Sequence, residues 1–566
     1  MKKVLFLILL FMFMFVGCAK PGTENPGGND EQNPGGEETP GGEENPGGEE
    51  TPTIDYLKVS EVTDSIDIMY DDFDNLNMIR EATRKEVERI QGLYDALTEA
   101  EKAEVYNYDL FEEIKTLYDI YMAEKEAEAA EKQKVEAAIA EAKDYLNEVV
   151  PKSAGTKNLE LPTYYDASNG VSLFIGWRSD DQYTISPTGV ITQPRGEAAR
   201  VTLTATMRSG SISGTFEKQI RVGALQYKKL PAKPVFAYYY TDQGALNEIE
   251  RDTIDVINLS FGGISDGGDV YVSGLNYETI LAERKHGIRV TFSVQSKEGF
   301  KKWTATAANR EKLSSSFVEV VEKYHFDGVD IDWEFPETGA EVNNYVDFMR
   351  LLYTKMKNAN PEYLVTAAMF GGQGASKYNA GVSHQYMDYI HLMTYDLNSS
   401  EISSHLTCLS DCINYTSVEE TVIHYKNQGI PSEKLVIGAA FYGKTYYLST
   451  TSRGFYRVKP IREPSTIYYR TIKHDYLKYL DNPSETVEVT RVWDKDAEAP
   501  YLCVYEYNSD KTVKNKIFIT YDDVESVTLK SQYVIDQELG GIMFWELGYE
   551  DRENSELVKA IHDVLD

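Results

Sequence analysis

DGVDIDWEF, residues 327–335, decides how the larger part of this chain folds. Acidic side chains recur at Asp330, Asp332 and Glu334, while Val329, Ile331 and Trp333 take the alternate positions. Successive side chains on a β-strand point to opposite faces, so this spacing puts the three carboxylates on one face. Neighbours two residues apart lie roughly 7 Å from each other along a strand, close enough for their side chains to lean together. Taken alone, the pattern fits an amphipathic strand with a solvated acidic face. A metal site is a further alternative, although hard cations usually draw oxygens from several loops and elements.

The surrounding sequence supplies the context. Short apolar runs recur at KPVFAYYY (233–240), IDVINLSFG (254–262), IRVTFSV (288–294), FDGVDIDWEF (326–335), YLVTAAM (363–369), YIHLMTY (389–395), KLVIGAAF (434–441) and GGIMFWE (540–546), with helical segments between them. Eight strands joined by crossovers predict a (β/α)8 barrel of the TIM type over 232–566. A parallel barrel strand is covered on both faces, so the acidic face of 327–335 turns to the barrel axis. Near the strand's C-terminal end it opens into the mouth where barrel enzymes carry their chemistry. The stretch after Tyr446 is too long for one crossover helix and holds strand-like runs, YLCVYEY (501–507) and KIFITY (516–521), so an α+β insertion is expected at about 446–533.

Towards the N-terminus the pattern changes twice. Val201, Leu203, Ala205 and Met207 alternate with polar residues and lead through Ser-Gly turns to Phe216, Ile220 and Val222, which predicts a β-sandwich over 152–224. GWRSDDQYTISPTGVITQP (176–194) resembles bacterial immunoglobulin-like domains, which makes Trp177 a core residue rather than a sugar platform. Residues 54–150 are rich in Glu, Lys, Ala and Leu with helical spacing at Ile90, Leu93, Tyr94 and Leu97. Thr98 and Glu101 form a capping box. The stretch 93–114 resembles short helical repeats of bacterial surface proteins, and a small helical spacer module is expected.

Residues 19–53 hold Pro, Gly, Glu, Asn and Thr with a recurring PGG and no apolar side chain to seed a core, a disordered spacer. Ahead of it, Lys2 and Lys3 precede an apolar run from Val4 to Val16 that ends in Gly17-Cys18. This reads as an export signal, residues 1–18, and resembles a bacterial lipobox in which Cys18 is acylated and holds the protein at the cell-surface membrane.

At 566 residues with a formal net charge of −34, the chain is multidomain and repels polyanions, so nucleic acid is excluded as a partner. A neutral glycan meets no such barrier. Cys408, Cys412 and Cys503 are too few for a disulfide framework; the first two could pair or ligate a metal, but no second Cys or His pair stands at ligand spacing, and buried or idle thiols are the expected state. No metal or cofactor is implied, and a monomer is expected.

The acidic strand also carries a resemblance. DGVDIDWEFP matches the DxxDxDxE signature of glycoside hydrolase family 18, the chitinases and endo-β-N-acetylglucosaminidases. INLSFG, MTYD, KLVIGAAFYGK and GGIMFWELG resemble that family's second, sixth, seventh and eighth strands in order. APYLCVYEY and FITYDD resemble the subdomain that walls the cleft in deep-cleft chitinases. The resemblance implies retaining hydrolysis of chitin-type β-1,4 bonds between N-acetylglucosamine units, in which the sugar's own 2-acetamido group is the nucleophile. Glu334 would protonate the leaving oxygen, Asp332 would stabilise the oxazolinium ion, and Asp330 would share protons with them. Close carboxylates cannot all ionise cheaply, so Glu334 is expected to keep its proton into the mildly acidic range. Tyr395 would donate to the acetamide oxygen, Met393 and Asp396 would line the same subsite, and Trp545 would be its floor. Tyr238, Phe261 and Tyr442 are further candidates for the cleft wall, Ser293 supports the acids, and Asp327 orders the turn into the strand. The alternatives are an endo-β-N-acetylglucosaminidase acting on the chitobiose core of N-glycans, or a non-catalytic glycan-binding relative. One departure stands out: where the family's third strand reads SxGG, this chain has Ser293-Val294-Gln295-Ser296.

Overall fold

The computed structural model describes residues 53–76, 81–240, 244–272, 277–412, 416–482 and 484–566. The export signal with Cys18, and the spacer up to residue 52, lie outside the described residues. The chain forms two compact units, one ending at Glu126 and the other running from Ala127 to Asp566.

In the first unit, helices Tyr56–Leu76 and Glu81–Asp95 and the start of a long helix, Tyr108–Val149, enclose a core that includes Val62, Ile66, Ile90, Leu97, Phe111 and Ile114. The capping box is formed: the Thr98 backbone N–H donates to Glu101 Oε2 at 2.8 Å, and Thr98 Oγ1 accepts from the Glu101 N–H.

The second unit begins within that long helix. Val135, Ala138, Ala142 and Leu146 fall on one helical face and pack against Leu173, Ile175, Ala205 and Met207. Those partners lie on one five-stranded sheet of order β1-β5-β4-β3-β2, made of β1 (Ser153–Ala154), β2 (Tyr164–Asp166), β3 (Ser172–Ser179), β4 (Ala199–Ser209) and β5 (Ile212–Val222). The immunoglobulin-like domain is thus built with a single sheet. The rest of its inner face, Val201, Leu203 and Ile220, is closed by Ile185 and Ile191 from the loop between β3 and β4. The alternation that predicts a sandwich says that one face is buried, but it does not say whether a helix or a second sheet buries it. Trp177 packs between the two parts of this core and donates to the Pro162 carbonyl at 2.7 Å.

The barrel follows: β6 (Val235–Tyr239), β7 (Val256–Ile264), with a short hairpin partner β8 (Val270–Tyr271), β9 (Arg289–Gln295), β10 (Gly328–Asp332), β11 (Leu364–Phe370), β12 (Tyr389–Met393), β13 (Leu435–Ala440) and, after the insertion, the last strand, β19 (Gly541–Trp545). The eight barrel strands pair in parallel, and pairing of β6 with both β7 and β19 closes the ring. Val329, Ile331 and Trp333 of β10 and its exit face outward into the helical layer, where Trp333 stacks on Phe300 at 5.6 Å and Tyr345 packs edge-on. Asp330 and Asp332 therefore point inward. Gly328 sits at φ +152°, where a Cβ would lie 2.2 Å from the Leu364 carbonyl oxygen, so β10 approaches β11 at a distance that glycine permits.

The insertion is an antiparallel sheet of order β15-β14-β18-β17-β16, built from β14 (Tyr442–Leu448), β15 (Ser465–Tyr468), β16 (Val487–Asp494), β17 (Ala499–Tyr507) and β18 (Val513–Tyr521). It starts directly after β13 and so brings Tyr442 to the barrel mouth. The helix Val524–Asp536 that follows it contacts β13 and β19 and belongs to the barrel layer, so the sheet ends short of the expected limit near residue 533. Buried Lys530 pairs with Asp522 at 2.6 Å, and Asp522 also accepts from the Ala440 N–H, tying the end of β18 to β13.

Cys408 and Cys412 form a disulfide rather than standing as thiols; both are buried in one loop with Cα atoms 6.3 Å apart, inside the range a disulfide spans. Cys503 is free and half-buried, and burial pushes its thiol up to about 11.

Candidate active site

A cleft of about 350 Å³ opens at the C-terminal ends of the barrel strands. Tyr238, Phe261, Asp332, Glu334, Met393, Tyr395, Asp396, Tyr442 and Trp545 all line it, together with Tyr240, Gln295 and Ala368. A larger depression, about 840 Å³, lies at the opposite ends of the strands. Three of its cations are occupied: Arg289 pairs with Glu362, Lys357 with Asp388, and Lys434 donates to two backbone carbonyls. The converging carboxylates and aromatic rings mark the smaller cleft as the site.

Asp330 lies beneath the cleft, fully buried among donors from neighbouring strands. Ser293 Oγ donates to Oδ2 at 2.8 Å, Tyr238 OH to the same oxygen at 3.0 Å, and Thr366 Oγ1 to Oδ1 at 2.6 Å. His391 Nδ1 stands 3.3 Å from Oδ1. Burial opposes the charge on Asp330, but the hydrogen bonds, led by His391, outweigh it and hold the carboxyl below the usual range.

Asp332, one step up the same face, shows the opposite balance. Burial, then the charges of Glu334 and Asp330, raise it well above an ordinary aspartate, so it carries a proton where Asp330 does not. Its Oδ1 finds no hydrogen-bond partner among the described residues. Glu334 follows at the rim, half-buried, where Gln295 Nε2 donates to Oε1 at 2.8 Å and reaches Asp332 Oδ2 at 3.4 Å.

The aromatic residues divide into two groups. Trp545 stacks against Phe261 with centroids 5.5 Å apart and an interplanar angle of 19°, and Tyr240 and Tyr238 flank it. Tyr395 and Tyr442 meet edge to face at 6.1 Å. Burial keeps the Tyr395 hydroxyl well above the ordinary phenol range, so it is a donor at any working pH. Tyr442 is raised by burial and by Asp396, which itself adopts φ +53° and pairs with Lys444 at 3.0 Å. Non-proline cis peptide bonds at Ser260–Phe261, Glu334–Phe335 and Trp545–Glu546 border the cleft.

Asp327 lies at the start of β10, away from the cleft. Besides accepting from the Val290 N–H, it pairs with Arg284 of the barrel and with Arg195 of the immunoglobulin-like domain, all three side chains being buried. His391, Thr366 and Tyr240 are site residues that the sequence motifs do not single out. A period of two would have found the histidine, since His391, Met393 and Tyr395 share one face of β12 and its exit. Among the described residues, no cluster of His, Cys, Asp and Glu is arranged to hold a metal ion.

Comparison with known proteins agrees with the barrel fold. The family model of glycosyl hydrolases family 18 matches residues 235–550, more than half of the chain, and that of the atrophied bacterial Ig domain matches residues 133–225. Chitinase A1 of Niallia circulans is 32% identical over 271 residues, 43% of this chain and 37% of that protein. Chitinase B of Serratia marcescens is 27% identical over 356 residues, 51% of this chain and 69% of that protein. The match thus spans little more than a third of the first relative's length. A glycoside hydrolase family 18 N-acetylglucosaminidase from Paenibacillus barengoltzii, of known structure, is 25% identical and superposes with a TM-score of 0.50 over 58% of this chain and 99% of that one.

Proposed function

Because the chain belongs to glycoside hydrolase family 18, we propose that it is a chitinase that hydrolyses β-1,4 bonds between N-acetylglucosamine units with retention of configuration. The observation that carries this reading is the acid ladder on one strand face, with Asp330 held by donors from four strands beneath the cleft and Asp332 and Glu334 lining it above. Asp330 is held ionised from below, and Asp332 above it keeps a proton and a free oxygen beside the acid at the rim.

In this reading a sugar stacks on Trp545 with its 2-acetamido group over Asp332. The proton that Asp332 and Glu334 share passes through Glu334 to the glycosidic oxygen as the bond from that oxygen to the anomeric carbon breaks. The acetamido oxygen closes on the same carbon, forming an oxazolinium ion. Asp332 accepts the acetamide N–H, and Tyr395 donates to the acetamide oxygen. Water then adds to the anomeric carbon and returns a proton to Glu334, which restores the acid. The insertion, through Tyr442, walls the cleft and favours a polymer over a short glycan stub.

The proposal is tested by release of a fluorophore from chitobiose and chitotriose glycosides between about pH 4 and pH 8. Turnover is expected, and Glu334→Gln should lower kcat on unactivated oligomers by about a thousandfold or more while the dissociation constant for the oligomer changes little. Absence of wild-type turnover would leave a glycan-binding protein, and preference for a high-mannose glycoprotein over chitin oligomers would point to the N-glycan core. Anchoring through an acylated Cys18 is part of the same proposal, and Cys18→Ser is expected to move the protein out of the membrane fraction.

A further inference from the structure

We infer that Gln295, a residue the family pattern does not provide, is a positioning residue that fixes which oxygen of Glu334 carries the catalytic proton; this rests on reading Glu334 as the acid. The strand register explains the placement. Ser293 and Gln295 lie on one face of β9, and β9 pairs with β10 so that Ser293 is opposite Asp330 and Gln295 opposite Asp332. Ser293 serves the lower carboxylate, at 2.8 Å from Asp330 Oδ2. One step up the same ladder, Gln295 serves the upper pair, at 2.8 Å from Glu334 Oε1 and 3.4 Å from Asp332 Oδ2.

The chemistry follows from donor counting. A side-chain amide nitrogen is a donor only, so the oxygen that receives it acts as an acceptor. With Oε1 engaged by Gln295, the acid's single proton belongs on Oε2, and the carboxyl can no longer rotate freely at the rim. The family's usual glycine offers no such donor. Ser296, the second departure, serves the backbone instead. Its Oγ accepts from the Gly299 N–H at 3.2 Å and caps the helix Lys297–Thr304, so it turns away from the acids.

A positioning role for proton delivery is separable from a packing role by the leaving group. Cleavage of a chitin oligomer needs a proton on the departing oxygen, whereas a chitobiosyl fluoride loses fluoride without one. Gln295→Ala and Gln295→Gly are each expected to lower kcat on chitotetraose about tenfold or more, to leave KM within about twofold, and to leave the single-turnover rate of fluoride release within about twofold. Equal losses on both substrates would mean a merely structural role and overturn the inference, as would no loss on either. Glu334→Gln is the reference. Because Glu334 also takes the proton of the attacking water, it is read on the single-turnover release of the leaving group: if Glu334→Gln slows fluoride release as much as oligomer cleavage, the acid assignment itself is wrong; if it spares fluoride release and the Gln295 variants show no such selectivity, this inference alone falls.

Discussion

Asp330 and Asp332 are the same residue type, two positions apart on one strand face, and the protein drives them in opposite directions. The donors around Asp330 come from β6, β9, β11 and β12, so its ionised form is built into the barrel interior. That fixed charge is one reason Asp332 holds its proton. Replacing Asp330 by Asn removes the charge, so the Asp332–Glu334 pair should release its proton at lower pH. The alkaline limb of the kcat/KM profile is then expected to move to lower pH, and a move to higher pH would contradict the coupling. The shared face of the acids was legible from period-two spacing alone. Which acid keeps the proton was not, because that depends on His391 and Thr366, which sit in runs that read as apolar strands, and on which cross-strand neighbour each carboxylate meets.

At the scale of elements, β10 and β19 lead into the cleft residues Glu334 and Trp545, and other segments hold them in register. The loop leaving β19 ends on Glu550, whose carboxylate accepts from the Asp551 and Val558 N–H groups where the last helix, Glu556–Leu565, begins. Burial pushes Glu550 up to about 8 against an unfolded value near 4.5. An acid raised in the folded state binds its proton there more tightly than when unfolded, so its contribution to stability is greatest below about pH 4.5 and falls as pH rises towards about 8. Glu550→Gln is expected to lose that dependence. It should gain about 2 kcal/mol or more over the wild type at pH 8 relative to pH 5 in denaturant unfolding, and an equal difference at both pH values would refute the assignment. The barrel strands were readable as apolar runs because each is buried on both faces. The helix over the immunoglobulin-like sheet was legible as helix but not as a part of that domain, since Val135, Ala138, Ala142 and Leu146 continue a charged helix whose first half packs elsewhere.

Across the whole second unit, the motif strand is joined at its base to the immunoglobulin-like domain. Arg195 pairs with Asp327 at 2.8 Å, donates to the Gln226 carbonyl, and lies over the Tyr227 ring at 4.5 Å. Asp327 would be raised by burial, but Arg284 and Arg195 hold it below the usual range. Removing one partner of a buried ionic group is costly, so Arg195→Ala should destabilise this unit by about 1–3 kcal/mol, Arg284 keeping Asp327 from being wholly unpaired. Unchanged kcat below the unfolding transition is expected, and an unchanged transition midpoint would show that the joint contributes nothing. From sequence, Asp327 reads as a turn residue because its partners lie far away along the chain. Above that joint stands the claim that the substrate's acetamide attacks its own anomeric carbon. It is tested most directly by time-resolved NMR of the anomer first released from a chitin hexamer. Two inversions predict that the β anomer appears first and then equilibrates; an α anomer appearing first would mean direct attack by water and contradict the mechanism.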